Sequence, residues 1–448
     1  MHSKILTTTC QDGKAVTSEQ CISFMADPGV ENNVVNLYPN VSYQVWNGFG
    51  GAITEAAGYL YSQMDDGCKK ELVNAYFGVN SNNYRMVRIP IDSCDFSLES
   101  YSAMDDPADT ELKSFSLSRD EQYIFPLLEA AQRASGMPLE IMLSPWSPPA
   151  FMKTNGKKEG GGFLKTEYRH LWASYICRYI LEYKKRGFSV KYLTVQNEPQ
   201  AAQKWDSCEF TAQEEKEFLR DFLYPEMVKN KINDVSICIW DHNKERAFER
   251  ACDIIDQSTS SVVGGIAFHW YSGDHFDALS LLKEQFPGKK LIFSEGCVEY
   301  SHHDKNNQIH NAQIYAHDMI GNLNAGMNIF YDWNIVLDQS GGPNYTGNFC
   351  DAPIMYDTVQ SKLEKKLSYT YIGHFSRYIM PGAKRIATSK YTDEIEATSF
   401  LNPDGTLATV LLNRTKKALP VTLRLSGQIC EWVLPETSIC TMNVSDIQ

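Results

Sequence analysis

The sequence predicts an α/β protein, a (β/α)8 TIM barrel with an all-β side sandwich formed from both chain termini. Three observations carry that expectation. Between Trp46 and Asn334, eight short apolar runs alternate with helix-like segments. Beyond Pro381-Gly382 the pattern changes to short alternating strands with turn signals. The length, 448 residues, suits one barrel-sized domain with a smaller companion better than a single small core. The expected boundaries are 1–42 and 379–448 for the two parts of the sandwich and 43–378 for the barrel.

The eight runs are Gly48–Ile53, Arg85–Ile91, Leu139–Leu143, Tyr192–Gln196, Val235–Trp240, Gly265–Trp270, Lys290–Ser294 and Asn328–Trp333. Their near-continuous apolar character fits strands covered on both faces. Between them, Tyr168, Leu171, Trp172, Tyr175 and Tyr179 recur at helical spacing, as do Ile309, Ala312, Ala316, Met319, Ile320 and Leu323. Capping boxes are expected at Ser118–Glu121 and Thr211–Glu214. A doubly wound sheet is the alternative to the barrel. A last helix is expected near Leu363–Tyr378, then strands at Glu394–Leu401, Thr406–Leu412, Val421–Leu425 and Ser438–Val444. Asn402-Pro403-Asp404-Gly405 is a hairpin turn signal. The first forty or so residues look β-like and should pair with the tail, because a closed barrel offers no free edge.

Hydrophobic content of 43% and charged content of 22% describe a soluble globular chain. Its apolar runs are strand-length, so stable membrane insertion is not expected. A net charge of −13 disfavours nucleic acid and anionic membranes as partners and leaves a small carbohydrate or glycoside unopposed. The N-terminus shows no secretory signal, which makes a cytoplasmic location the expectation. The twelve cysteines have no zinc spacing and read as reduced, mostly buried thiols. Cys10–Cys21 and Cys430–Cys440 disulfides stay open. No cofactor and no metal are expected. Gly48-Phe49-Gly50-Gly51 lacks the third glycine of a dinucleotide loop, and His302-His303-Asp304 reads as a solvated loop.

The chemistry sits at the strand ends, where barrel enzymes place it. Glu198 follows the fourth run in Asn197-Glu198-Pro199, and Glu295 follows the seventh. A carboxylate at the tip of a buried strand, followed by a breaker, is placed for reaction. Two of them, three βα units apart, can face each other across a sugar ring. Glu198 is the expected acid/base, its pKa raised by its partner's charge and by burial; Glu295 is the expected nucleophile, held ionised by Arg88. Other strand ends carry Ser144-Pro145-Trp146, Trp240-Asp241-His242, His269-Trp270-Tyr271 and Asp332-Trp333-Asn334. Carboxylates, amides and indoles together suit a sugar. His269 reads equally as a core histidine or a site residue, while Asp241 and His242 read as orienting neighbours. A non-catalytic carbohydrate-binding barrel and a metal-dependent hydrolase are the competing classes.

At these residues the chain resembles glycoside hydrolase family 30, in particular its glucosylceramidase branch. The resemblance rests on Gly48-Phe49-Gly50-Gly51-Ala52-Ile53-Thr54, Arg88-Ile89-Pro90, Ser93-Cys94-Asp95-Phe96-Ser97, Ser144-Pro145-Trp146, Asn197-Glu198-Pro199, His269-Trp270-Tyr271, Ser294-Glu295, Asp332-Trp333-Asn334 and Gly341-Gly342-Pro343-Asn344, which run in order along the chain. It implies a retaining β-glycosidase, with β-glucosides as substrate and β-xylosides, β-fucosides or a β-1,6-glucan as alternatives. It also implies that Asp95, Trp146, Asn197 and Trp333 line the subsite for the non-reducing sugar. Asn197 would hold the 2-hydroxyl, Tyr271 would contact the nucleophile, Asn348 would sit in the loop after strand eight, and Arg88 would lie near Glu295. The loops Met152–Gly162 and Leu337–Asn348 are expected to shape the leaving-group side.

Overall fold

In the computed structural model, which describes residues 1–446, the eight runs form one closed parallel barrel in chain order. Its strands are Gly48–Ala52, Met86–Ile91, Glu140–Pro145, Ser189–Thr194, Ser236–Asn243, Val263–His269, Lys290–Glu295 and Ile329–Asp332. The eighth pairs with the first, Ile329 opposite Gly48, which rules out an open doubly wound sheet. The glycine run is the first strand itself. A Cβ on Gly50 would stand 2.4 Å from the Met86 carbonyl oxygen, so glycine is what lets strands one and two close.

Strand periodicity sorts the barrel interior into layers. Met86, Met142, Tyr192, Cys238, Ala267, Ile292 and Ile329 form an apolar layer. Two residues further along their strands come Arg88, Ser144, Thr194, His269 and Ser294, all buried and all polar. This second layer is the floor of the C-terminal mouth.

The amphipathic segments are the helices Arg169–Lys185 and Gln308–Asn324. The capping box at Thr211–Glu214 is complete. The one expected at Ser118–Glu121 is not formed. Ser118 already lies within its helix, and Glu121 bonds Arg186 instead. A π-turn at Asp120–Ile124 swings the Asp120 carboxylate onto the Tyr179 and Tyr183 hydroxyls. The expected last helix is divided into a strand, Lys362–Lys365, and a helix, Leu367–Ser376.

The termini meet in a ten-stranded sheet folded over a second core that includes Val35, Leu407, Leu423 and Met442. His2–Gln11 pairs with Ser438–Ser445, and Val34–Val45 pairs with Lys384–Lys390. One further strand, Gln428–Leu434, follows a hairpin turn in which Ser426 and Gly427 both have positive φ, a signal readable as Ser-Gly. All twelve cysteines are free. Cys10 lies opposite Ala15 and Cys21 opposite Lys4 in the N-terminal hairpin, too far along it to bond. Among the described residues no helix is long and apolar enough to cross a membrane.

His374, in the last helix, ties barrel to sandwich. Its Nδ1 and Nε2 lie 2.8 Å from the Thr441 and Thr8 hydroxyl oxygens. Thr441 donates to the His374 carbonyl, so it accepts from Nδ1, and Nε2 accepts from Thr8. Burial lowers this imidazole to about 3. Its unfolded pKa, near 6.5, is higher, so the unfolded chain gains protons first as pH falls. The stability contributed by neutral His374 is therefore full above pH ~6.5 and lost progressively toward pH ~3. His374→Gln should unfold at lower denaturant at pH 7, by about 1–3 kcal/mol. Its deficit relative to the parent should shrink as pH falls from 6.5 to 4, measured by urea unfolding.

Candidate active site

Arg88 sits at the centre of the polar layer with no exposure to solvent. Its Nη1 donates to Glu295 Oε2 at 2.6 Å, and Nη2 donates to Asn197 Oδ1 at 2.8 Å and Asp241 Oδ2 at 2.9 Å. Nε donates to Ser144 Oγ at 3.1 Å. One guanidinium thus links strands two, three, five and seven and the segment after strand four. Trp146 and Trp333 stack at 5.2 Å, and the Arg88 guanidinium lies 4.8 and 5.4 Å from their ring centres.

Two local irregularities aim these side chains. Trp240 and Asp241 both have positive φ, 75° and 53°, and the register with strand six slips beside them. The slip brings Asp241 inward, where a strict alternation after Cys238 would turn it away. Strand seven holds an extra residue opposite His269, so Ser294 and Glu295 both reach the interior: Ser294 donates to Asp241 at 2.6 Å. Glu198 itself has φ 47°, a conformation costing about 1–3 kcal/mol, and its N–H is held by the Asp241 carbonyl at 2.9 Å.

His269 bridges the two halves of the site. Its Nε2 lies 3.0 Å from Asp241 Oδ1 and its Nδ1 3.2 Å from Glu198 Oε1. Burial opposes a charged imidazole, yet the Glu295 charge and the bonds to Asp241 and Glu198 raise it to about 9. Burial also acts on Asp241, but Arg88 and His269 hold it well below the usual carboxylate range. Burial raises Glu295 despite His269 and Arg88, whereas for Glu198 the His269 bond and the charges of His242 and His269 together outweigh burial and lower it. This reverses the order expected from sequence. The reason is His269, whose place beneath Glu198 no spacing reveals. A proton is thus shared across the Glu198–His269 bond.

Glu198, His269 and Glu295 bring donor atoms within 4.8 Å of one another. Arg88 already supplies a fixed cation there, so the trio is electrically satisfied by the protein. Above them opens a cavity of about 310 Å³. Asp95, Trp146, Asn197, Glu198, Tyr271, Glu295, Trp333 and Asn348 all line it, while Arg88 and His269 lie under its floor. Tyr271 donates to Glu295 Oε1 at 3.0 Å. Burial and the charges of Glu295 and Glu198 raise Asp95 well above the carboxylate range. The rim differs from the expected one. Asn348 of the Leu337–Asn348 loop borders the cavity as expected, together with Gln203, Trp205, His242, Asn243 and Glu299, whereas no residue of Met152–Gly162 does. There Lys153 and Lys158 brace the neighbouring backbone, Lys153 donating to the carbonyls of Lys158 and Ser207. His302 joins the rim and approaches Glu299, but it forms no metal trio among the described residues.

Two carboxylates converging at the C-terminal mouth of a parallel barrel are the arrangement that glycoside hydrolysis uses. The glycosyl hydrolase family 30 TIM-barrel model matches residues 46–379, and the family 30 beta sandwich model matches 382–442. The chain belongs to glycosyl hydrolase family 30 and is an O-glycoside hydrolase. It is 32% identical to mouse lysosomal acid glucosylceramidase over 409 residues, covering 87% of this chain and 79% of that protein. Two solved structures cover all of this chain and are covered in full by it. SrfJ from Salmonella typhimurium aligns with a TM-score of 0.95 at 37% identity, and the endo-β1,6-glucanase BT3312 with 0.88 at 25%.

His269→Gln should move the alkaline limb of the kcat/KM profile for an aryl glycoside to lower pH. With the imidazole raised to about 9, the Glu198–His269 pair keeps its proton into the alkaline range. Without it the proton rests on a lone carboxyl, which releases it sooner. An alkaline limb at the same pH in both proteins would contradict this assignment.

Proposed function

We propose that the chain is a retaining, exo-acting β-glucosidase, with Glu198 as acid/base and Glu295 as nucleophile. The observation that carries this reading is the carboxylate spacing. Oxygens of Glu198 and Glu295 lie within 4.8 Å of each other, the close approach of a double displacement and too short for a water to attack between them. Glucose as the transferred sugar is supported by the relatives. One is named a glucosylceramidase and another an endo-β1,6-glucanase, so a glucosyl unit is common to both names. Asp95, a carboxyl on the cavity wall 5% exposed, suits the outer hydroxyls of a terminal sugar and favours the exo mode.

In the first step an ionised Glu295 oxygen attacks the anomeric carbon. Arg88 and Tyr271 donate to its two oxygens and stabilise the anion before attack. Glu198 protonates the departing oxygen with the proton it shares with His269 across the 3.2 Å bond, which leaves Glu198 a carboxylate. Arg88 occupies Asn197 Oδ1, which leaves the Asn197 Nδ2 donor for the sugar's 2-hydroxyl. In the second step Glu198, now a base, takes a proton from water. That water attacks the glycosyl–Glu295 ester from the face the leaving group vacated, and the configuration is retained.

Glu295→Gln should lower kcat on an aryl β-glucoside by about 10³-fold or more with the fold intact. A 2-deoxy-2-fluoroglucoside should label Glu295, read by peptide mass spectrometry. Label on another carboxylate, or full activity in the variant, would overturn the assignment. Glu198→Ala should retain turnover of substrates with acidic leaving groups and regain rate with azide, giving a β-glucosyl azide.

A further inference from the structure

Asn344, in the segment after strand eight, lines neither the first cavity nor a second one of about 550 Å³, which opens beside it and shares Tyr271, Cys297, Glu299 and His302 with it. Its amide is nevertheless fully engaged. Oδ1 accepts from the Thr346 N–H at 3.0 Å, the Thr346 hydroxyl at 3.0 Å and the Asn348 N–H at 3.1 Å. Backbone N–H groups only donate, so this atom is the carbonyl oxygen and its neighbour is the amide nitrogen. Nδ2 donates to the Asn348 carbonyl at 3.0 Å and to Asp95 Oδ2 at 3.2 Å. One amide therefore joins Asp95, after strand two, to Asn348, after strand eight, and both of these line the first cavity.

The Asp95 carboxyl has little else to orient it. Rotation about its Cβ–Cγ bond is broad, so rotamer preference does not fix the carboxyl plane. Among the described residues Asn344 is the only side chain that hydrogen-bonds it, and the charges of Glu295 and Glu198 push against it. The loop around Asn344 has further anchors. The Tyr345 N–H donates to the Asp95 carbonyl at 3.2 Å, and the Tyr345 hydroxyl accepts from the Asp206 N–H at 3.1 Å. The Tyr300 and Asp351 N–H groups donate to the Phe349 and Val298 carbonyls at 3.1 and 2.8 Å. The course of the chain is thus held at several points, whereas the Asp95 carboxyl is held at one.

We propose that Asn344 is a positioning residue for sugar recognition: it clasps Asn348 and, through Nδ2, sets the Asp95 carboxyl in the orientation that takes an outer hydroxyl of the terminal glucose. The assignment rests on the glucosidase reading above and adds a residue that acts through Asp95 without touching the sugar.

The test compares kcat/KM for an aryl β-glucoside and its 2-, 3-, 4- and 6-deoxy forms in the parent, Asn344→Ser and Asn344→Thr proteins. A Ser or Thr hydroxyl still accepts from the N–H two residues on, but it stops one atom short of Asp95. In the parent, loss of at least one of the 3-, 4- and 6-hydroxyls should cost about tenfold or more, because a polar group built to bind it is left unpaired. In both variants that cost should shrink to about twofold, with the complete glucoside about tenfold slower than in the parent. The 2-deoxy penalty, set by Asn197, should stay within about twofold of the parent's. Should one variant fail to fold by circular dichroism, the other decides alone; if both fail, Asn344 serves folding only and the proposal falls. A parent indifferent to the three outer hydroxyls, an unchanged penalty in a folded variant, or a 2-deoxy penalty that shrinks alongside overturns the positioning role and leaves the glucosidase reading standing. Absence of aryl β-glucoside cleavage by the parent overturns both.

Discussion

The site depends on one buried cation. A guanidinium taken wholly out of water costs several kcal/mol, and only well-placed partners offset that. Arg88 finds them in two carboxylates, an amide and a hydroxyl, all between 2.6 and 3.1 Å. Lysine could not replace it, because a single ammonium has no planar fork to reach Glu295, Asn197 and Asp241 together. The same bonds that satisfy Arg88 hold the Glu295 carboxyl, fix the Asn197 amide at the cavity and anchor Asp241, which in turn holds His269. Removing the cation would leave Asp241 and Glu295 buried without their principal counter-charge, a change of about 3–5 kcal/mol that ends both stability and chemistry.

The barrel makes this affordable by layering. Its lower interior is packed with Met, Ile, Tyr and Cys, which exclude water and stiffen the strands. The polar layer above inherits that rigidity, so its donors stand ready before substrate arrives. The irregular positions collect here: the register slips beside Asp241 and Glu295 and the positive φ of Glu198. Each costs conformational energy, and each points a carboxyl or imidazole where regular pairing would not. The sandwich, tied on by His374 and by Gln44 donating to two carbonyls past strand seven, lies outside the first cavity. It reaches the second through Arg414.

Much of this was legible in the chain. Near-continuous apolar runs separated by helical periods describe strands buried on both faces, and eight of them in order describe a barrel. Glu198 and Glu295 stood out because a charge at the end of such a run has no packing role. Arg88 stood out for the same reason inside one. Other parts were not legible. Ser118 and Glu121 have capping-box spacing, but the π-turn at Asp120 follows from tyrosines some sixty residues away. The rim formed by Gln203, Trp205 and Glu299 comes from loops without periodicity. The second cavity joins the Glu299 loop to a helix face whose residues look, along the chain, like ordinary solvent-facing positions.

By itself the sequence determined the fold class, the two carboxylates and the arginine, because each shows as a local contradiction between polarity and burial. Only the tertiary structure decided how each carboxyl is held and which way its proton affinity moves. Both depend on electrostatic coupling among Glu198, His269, Asp241, Arg88 and Glu295, and coupling is set by distances of about 3 Å between residues far apart in the chain. Spacing along a strand carries the period of side chains but not the register slip that turns Asp241 inward, nor the imidazole that lies beneath Glu198.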